Sequence, residues 1–179
     1  MKKYLYLVAI ALVSCGAVLS SCSDDKISGD SIFSTKAVER NAFDQWLYKN
    51  YTMPYNIDFQ YRLKTEETEQ AYNFVPADSA KTVKLAILTK YMWFDAYAET
   101  VGLDFIKENA PRIILVTGTP GYTRYRTEVI GSAEGGYKVR LGKVNALTDD
   151  QLKDYGSMNN YYFHTMHHEF MHILNQKKP

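Results

Sequence analysis

The chain has 179 residues, of which 46% are hydrophobic and 23% are charged, a composition typical of one globular domain. Its 21 basic and 20 acidic side chains leave a formal charge of +1 at pH 7, and no basic run is long enough to attract a phosphate backbone. We therefore do not expect nucleic acid as a partner.

The first 21 residues have the pattern of an export signal. Two lysines precede an apolar run over 4–19, which polar residues interrupt and which falls short of the ~20 residues of a spanning helix. The tetrapeptide "LSSC" resembles a bacterial lipobox and predicts cleavage before Cys22 with lipid attachment to it. A plain secretory signal is one alternative. A lipobox ending at Cys15 is another, although it leaves an unusually short signal.

Residues 22–35 are polar and lack apolar periodicity, which is typical of a flexible tether. The "SDD" directly after Cys22 resembles the acidic tag of lipoproteins at the outer cell surface, a match of only three residues. Both cysteines, Cys15 and Cys22, precede the tether. The domain predicted over 36–179 therefore has no disulfide, and any metal in it must be held by His, Asp or Glu.

The first part of this domain alternates helices and strands. Apolar spacing predicts a helix over 38–51 that ends before Pro54, and a strand over 55–64. Asp78 caps a long predicted helix that runs to Gly102, where glycine ends the apolar stripe. A short helix over 104–110 follows.

The second part begins with a predicted buried strand over 112–118. Segments 123–130 and 137–144 flank the turn "GSAEGG" as a predicted hairpin, so that three or four strands precede the histidines. Thr148 and Gln151 fit a capping box for a short helix closed by Gly156. The last helix is predicted from about 159 to 176, with Ser157 or Asn159 as its cap.

All four histidines lie in "FHTMHHEFMHIL", residues 163–174 of that last helix. Side chains four residues apart share one face of a helix, so both His164 with His168 and His168 with His172 could converge on one cation. Glu169 favours the second pair, because it completes the pattern His-Glu-x-x-His with His168 and His172. This pattern is rare by chance in a chain with four histidines.

Neutral imidazoles suit zinc, whose bound water can have a pKa near 7. A residue next to His168 is rotated ~100° from it around the helix, too far to be a ligand on the same face. We therefore predict Zn²⁺ held by His168 and His172, with Glu169 as the base that takes a proton from the zinc-bound water. The reaction class that follows most naturally is peptide hydrolysis.

The other two histidines receive different predictions. His167 lies on the side of Phe163, Phe170 and Leu174, so we expect it to be half-buried against the core. His164 lies one turn before the ligand pair, and its role stays open between positioning a ligand and facing the substrate.

A catalytic zinc takes three protein ligands as a rule, and the sequence shows two. Lys178 stands where an extended motif has a third histidine, and Asn175 replaces its glycine. We expect the third ligand beyond Pro179, the chain then being incomplete at its C-terminus. An upstream carboxylate is the alternative.

Four ordered blocks between Phe43 and Pro179 resemble one family: "FDQWLYKNYTMPYNIDFQYRL", "NFVPADSAKTVKL", "AEGGYKVRLGKVN" and "YYFHTMHHEFMHILNQKKP". These blocks, and the lipobox, are similar to the substrate import-associated zinc metallohydrolase lipoproteins, which are encoded beside TonB-dependent importers and SusD-type partners in Gram-negative bacteria. Relatives commonly carry a histidine where this chain has Asn175.

The resemblance implies an α+β, zincin-like metallopeptidase domain with His168 and His172 as zinc ligands and Glu169 as the base. It also implies an outer-membrane lipoprotein that acts on peptides or glycopeptides for import. By analogy, "YKVRLGKV" is the predicted edge strand that binds substrate backbone. Two alternatives stay open: a non-catalytic accessory lipoprotein of an import complex, and a metallohydrolase acting on a non-peptide bond.

Overall fold

The computed structural model describes residues 39–64 and 72–177, within a compact unit over Arg40–Pro179. The predicted signal peptide, Cys22 and the tether over 22–35 lie outside the described residues. In the two described ranges, no helix is both long enough and apolar enough to cross a bilayer.

The first helix begins at a capping box in which the Asp44 amide donates to Asn41 Oδ1 at 2.7 Å. It runs through α1 (Ala42–Leu47), a π-helical segment π1 (Tyr48–Thr52) and α2 (Met53–Tyr55). The prediction that Pro54 ends it is wrong. The Met53 amide bonds the Tyr48 carbonyl, five residues back, so Pro54 enters at the start of a new turn, where its missing N–H is tolerated. Asn56, in the left-handed conformation, ends the helix.

The long central helix is confirmed from its cap to its end. Asp78 Oδ1 accepts a hydrogen bond from the Lys81 amide at 2.9 Å, and Gly102 has a φ of 99° where the helix stops. The helix consists of α3 (Ser79–Thr89), π2 (Lys90–Asp95) and α4 (Ala96–Val101), and the predicted short helix follows as α5 (Leu103–Asn109).

The main sheet has four strands in the order β1-β2-β6-β5. The first three are parallel, with Phe59 opposite Ile114 and Ile114 opposite Val139, and β5 is antiparallel to β6. The strand predicted over 55–64 is present but shorter. The four strands are β1 (Asp58–Gln60), β2 (Ile113–Val116), β5 (Gly131–Glu134) and β6 (Lys138–Leu141).

The hairpin exists, but its turn was predicted in the wrong place. Four residues of "GSAEGG" form β5, and residues 135–137 connect it to β6, with a 3.2 Å hydrogen bond from the Tyr137 amide to the Glu134 carbonyl. Gly135 and Gly136 have positive φ, 56° and 70°, a conformation that glycine adopts readily in tight hairpin turns. Segment 123–130 instead contributes β4 (Glu128–Val129), which pairs with β3 (Gly121–Tyr122) in a small second sheet.

The prediction that "YKVRLGKV" is the edge strand is also wrong. Its strand, β6, lies between β2 and β5, and all four of its residues are buried. A strand that pairs on both sides has no free backbone edge to offer a substrate. Among the described strands, β5 lies at this end of the sheet and β1 at the other.

The C-terminal helices begin as predicted, at the Thr148–Gln151 capping box of α6 (Asp149–Lys153). This helix ends before Gly156, because Asp154 leaves the helical conformation and caps a new one, accepting from the Ser157 amide at 2.8 Å. Asp154 is therefore the cap of the last helix, in place of Ser157 or Asn159. That helix comprises α7 (Tyr155–Met158), π3 (Asn159–Phe163) and α8 (His164–Lys177).

Helix α8 packs one face against the aromatic core. Phe170 is fully buried, and its ring contacts Trp93 and Tyr97 of the central helix at centroid distances of 5.5 and 5.1 Å. At the far end, Lys177 Nζ donates to the carbonyl oxygen of Asn109 at 3.0 Å, at the end of α5. Helix α8, which carries all four histidines, is therefore held along its length.

Candidate metal centre

His168 and His172 converge on one point at the surface of α8. Their Nε2 atoms lie 3.0 Å apart, and their ring centroids are separated by 4.6 Å at an angle of 84°. Both side chains are exposed. The i, i+4 spacing places the rings one turn apart on the same face, as the sequence predicted.

This geometry suits a metal ion with imidazole ligands. Two nitrogens bound tetrahedrally to zinc at ~2.0–2.1 Å are separated by roughly 3.3 Å, close to the 3.0 Å between the Nε2 atoms here. Because both rings are exposed, the other positions around such an ion remain accessible from solvent. The pair of histidines therefore fits zinc in donor type and spacing.

The remaining two histidines are arranged differently. The His164 ring stacks nearly parallel to that of His168 with centroids 6.1 Å apart, so these two rings do not share the close approach of the ligand pair. His167 is half-buried, as predicted, and lies 5.6 Å from the Tyr97 ring. Burial, and then the neighbouring His164, lower the pKa of His167, which favours its neutral form.

Glu169 lies between the histidine pair and the sheet. Its side chain is only 9% exposed, and a Cβ at Gly131 in β5 would lie 3.4 Å from Glu169 Cγ. The Glu169 side chain therefore packs beside β5, whereas His168 and His172 are exposed to solvent. This difference agrees with the prediction that Glu169 is not a ligand on the histidine face.

Gly131 allows α8 and β5 to approach unusually closely. A Cβ at this position would lie 2.2 Å from Thr165 Cγ2, well inside van der Waals contact. The sequence reasoning missed Gly131 because it assigned this glycine to a turn. The available signal was a glycine beside a strand pattern, which marks close approach of another element.

The segment before α8 is also fastened to the sheet. The buried Tyr162 hydroxyl in π3 donates to the Gly142 carbonyl at 3.0 Å, just after β6. Burial strongly raises the pKa of Tyr162, so the hydroxyl stays protonated and remains a donor. This hydrogen bond orients the helix on which the histidines lie.

The described residues include the two histidines predicted as ligands, His168 and His172. Across 39–64 and 72–177, no group of three or more His, Cys, Asp or Glu side chains is arranged to hold a metal. The ligand predicted beyond Pro179 lies outside the described residues.

Comparison with known proteins places the domain in one family. Residues 36–179 match the family described as "Putative zinc-binding metallo-peptidase". A crystal structure of a "putative zinc-binding metallo-peptidase" from Bacteroides caccae ATCC 43185 is 44% identical, with a TM-score of 0.58. The match covers 83% of this chain and 55% of that one, so this chain spans about half the length of that relative. No curated protein matches the chain.

The contact between β5 and α8 can be tested with Gly131→Ala. The added methyl clashes with Thr165 Cγ2, and we expect the free energy of unfolding to fall by about 1–3 kcal/mol, as in other overpacked sites. Thr165→Ser removes the clashing methyl group, so the double variant should recover most of this loss. Urea denaturation of all four proteins measures the coupling, and strictly additive costs would show that the contact is not limiting.

Proposed function

This chain belongs to that zinc-binding metallo-peptidase family, and from this premise we propose that it hydrolyses peptide bonds at a zinc ion held by His168 and His172. The fold is α+β and zincin-like. The observation that carries the proposal is the 3.0 Å approach of the two Nε2 atoms beside the buried Glu169. Two neutral nitrogen donors with an adjacent carboxylate are the groups that metal-assisted hydrolysis requires.

Each side chain has a separate task in this proposal. Zinc, when bound, polarises the substrate carbonyl and lowers the pKa of water. His168 and His172 would hold the ion through their Nε2 atoms, which lie 3.0 Å apart. Glu169 accepts the proton of the attacking water at its carboxylate and then delivers it to the leaving amine nitrogen. Its near-complete burial limits competition from bulk solvent.

The edge strand β5 is the proposed substrate platform. Among the described residues it has a strand neighbour on one side only, and it passes directly beside Thr165 and Glu169. An extended peptide can therefore add to the sheet along β5 through backbone hydrogen bonds, with its scissile bond held next to Glu169. This role replaces the one predicted for β6.

We further propose that the protein is an outer-membrane lipoprotein that trims peptides or glycopeptides for a TonB-dependent transporter with SusD-type partners. The support is the "LSSC" lipobox and the resemblance of the chain to import-associated lipoproteins. Several acyl chains at Cys22 suffice for stable anchoring.

Replacing Cys22 with Ser should move the protein from the membrane fraction to the soluble fraction and abolish labelling by radioactive palmitate. Labelling that persists in the variant would place the lipid on Cys15, and an unsubstituted protein that takes up no label would indicate a plain secretory signal.

The metal ligands are tested by zinc titration. His168→Ala and His172→Ala each remove a direct donor, so we expect zinc affinity to fall by more than about 100-fold, beyond the usual effect of residues that only support a ligand. His164→Ala is the matched control on the same helix and should change the affinity by less than about 10-fold. Equal losses in all three variants would contradict the assignment of the pair.

Glu169→Gln tests catalysis separately from binding. The amide keeps the size of the side chain but cannot accept the proton, so peptide hydrolysis should fall by about 10²–10⁴-fold while zinc affinity stays within a few-fold. The alternative function, a non-catalytic accessory lipoprotein, predicts that uptake and partner binding are unaffected by this substitution. Hydrolysis that survives Glu169→Gln would exclude Glu169 as the base.

A further inference from the structure

The hairpin of β3 and β4 carries an exposed cationic and aromatic tip, which we call the basic hairpin (residues 122–127). Tyr122 and Tyr125 are 52% and 76% exposed, and the side chains of Arg124 and Arg126 also face solvent. The Arg124 guanidinium lies 4.9 Å from the centre of the Tyr125 ring. Neither the metal centre nor the hydrophobic core uses these residues.

The loop at this tip is held in one conformation. The Thr123 amide donates to the Thr127 carbonyl at 3.0 Å, and the Arg126 amide donates to the Thr123 carbonyl at 2.9 Å. Thr123 Oγ1 accepts from the amides of Tyr125 and Thr127. Arg126 has a φ of 63°, a conformation that few residues other than glycine adopt. The two arginines are therefore presented by a preorganised turn, which reduces the entropy lost when they bind a ligand.

Residues directly after the basic hairpin are connected by contacts to the segment that leads into α8. Glu128 forms an ion pair with Lys143, and Lys143 Nζ lies 5.0 Å from the centre of the Tyr161 ring in π3. The Gly142 amide donates to the Ile130 carbonyl at 2.7 Å. These contacts keep the hairpin at a fixed position relative to the histidine helix.

The basic hairpin leads directly into the edge strand. β4 ends at Val129, and β5 begins at Gly131, which lies beside Thr165 and Glu169. Arg126 is five residues before Gly131, so at ~3.3 Å per residue it lies no more than roughly 17 Å along the chain from that point. A peptide of six or more residues bound along β5 can therefore reach the arginines.

The charge of the tip defines the ligand. Glu128 is engaged by Lys143, which leaves Arg124 and Arg126 as the charged side chains of the turn itself. Guanidinium groups bind carboxylates through paired, charge-assisted hydrogen bonds. We propose that the basic hairpin binds acidic side chains of an extended peptide substrate, a few residues from the scissile bond. This specificity site rests on the proposed peptidase function.

The test compares decapeptides that carry two glutamates, either at the amino end or at the carboxyl end. Each is paired with a counterpart that carries glutamines at the same positions. Binding is measured by calorimetry on zinc-loaded Glu169→Gln protein, in which the peptides stay intact. We expect one acidic peptide to bind about 3- to 10-fold more tightly than its glutamine counterpart at low salt, and we expect higher salt to reduce this preference. Arg124→Gln combined with Arg126→Gln should abolish it.

Arg40→Gln combined with Arg112→Gln removes the same charge from two exposed arginines outside the hairpin and should leave the preference intact. An equal loss of the preference for acidic peptides in this control would show that the preference depends only on net charge, and it would overturn the proposal. Equal affinity for acidic and neutral peptides, tighter binding of a neutral glycopeptide, or no binding of any peptide would overturn it as well. Zinc titration and hydrolysis by the unsubstituted protein report separately on the metal centre, so failure there is distinguishable from failure of the hairpin.

Discussion

The close approach of Gly131 in β5 to Thr165 in α8 sets the distance between the sheet and the histidine helix. A side chain at Gly131 would overlap Thr165, which would move β5 away from α8 and from Glu169. The proposed substrate platform and the proposed metal ligands lie on different elements, so their relative position depends on this contact. A displacement of about 1 Å in such a site can cost a large part of its rate.

Within residues 39–64 and 72–177, three π-helical segments contribute large side chains to the core behind that contact. Each lies inside a longer helix and places a large aromatic residue in the core: Tyr51, Trp93 and Tyr162, all at most 1% exposed. A π turn holds one more residue than an α turn, which shifts the following side chains around the helix axis. In the last helix this shift occurs directly before His164, and the hydrogen bond from Tyr162 to Gly142 fixes the result.

The four histidines show how one helix can give chemically equivalent groups different environments. His168 and His172 face solvent with their Nε2 atoms close together, whereas His167 packs on Tyr97 and burial lowers its pKa. Glu169 faces the sheet edge. The basic hairpin precedes β5 in the chain, so the proposed specificity site leads from Arg124 into Gly131, which lies beside the predicted base on α8.

Much of this arrangement is determined by local sequence. The caps at Asp78 and Thr148, the long helix that ends at Gly102, and the i, i+4 spacing of His168 and His172 depend on neighbours within a few residues, so periodicity and capping rules predict them. The helical continuation through Pro54 and the cap at Asp154 were mispredicted, because each depends on a neighbouring turn whose geometry the one-residue signal did not reveal.

Tertiary structure alone decided which strand is the sheet edge and which glycines belong to the turn. The sequence pattern assigned the residues of β5 to a turn and those of β6 to an edge strand, but pairing with β2 buries β6 and leaves β5 outermost among the described strands. Gly131 and Gly135 are the same residue type, yet one is required by the approach of Thr165 and the other by a positive φ. Sequence therefore determined which residues could perform the chemistry, and long-range packing decided what they face, because contacts between distant segments leave no periodic pattern in either one.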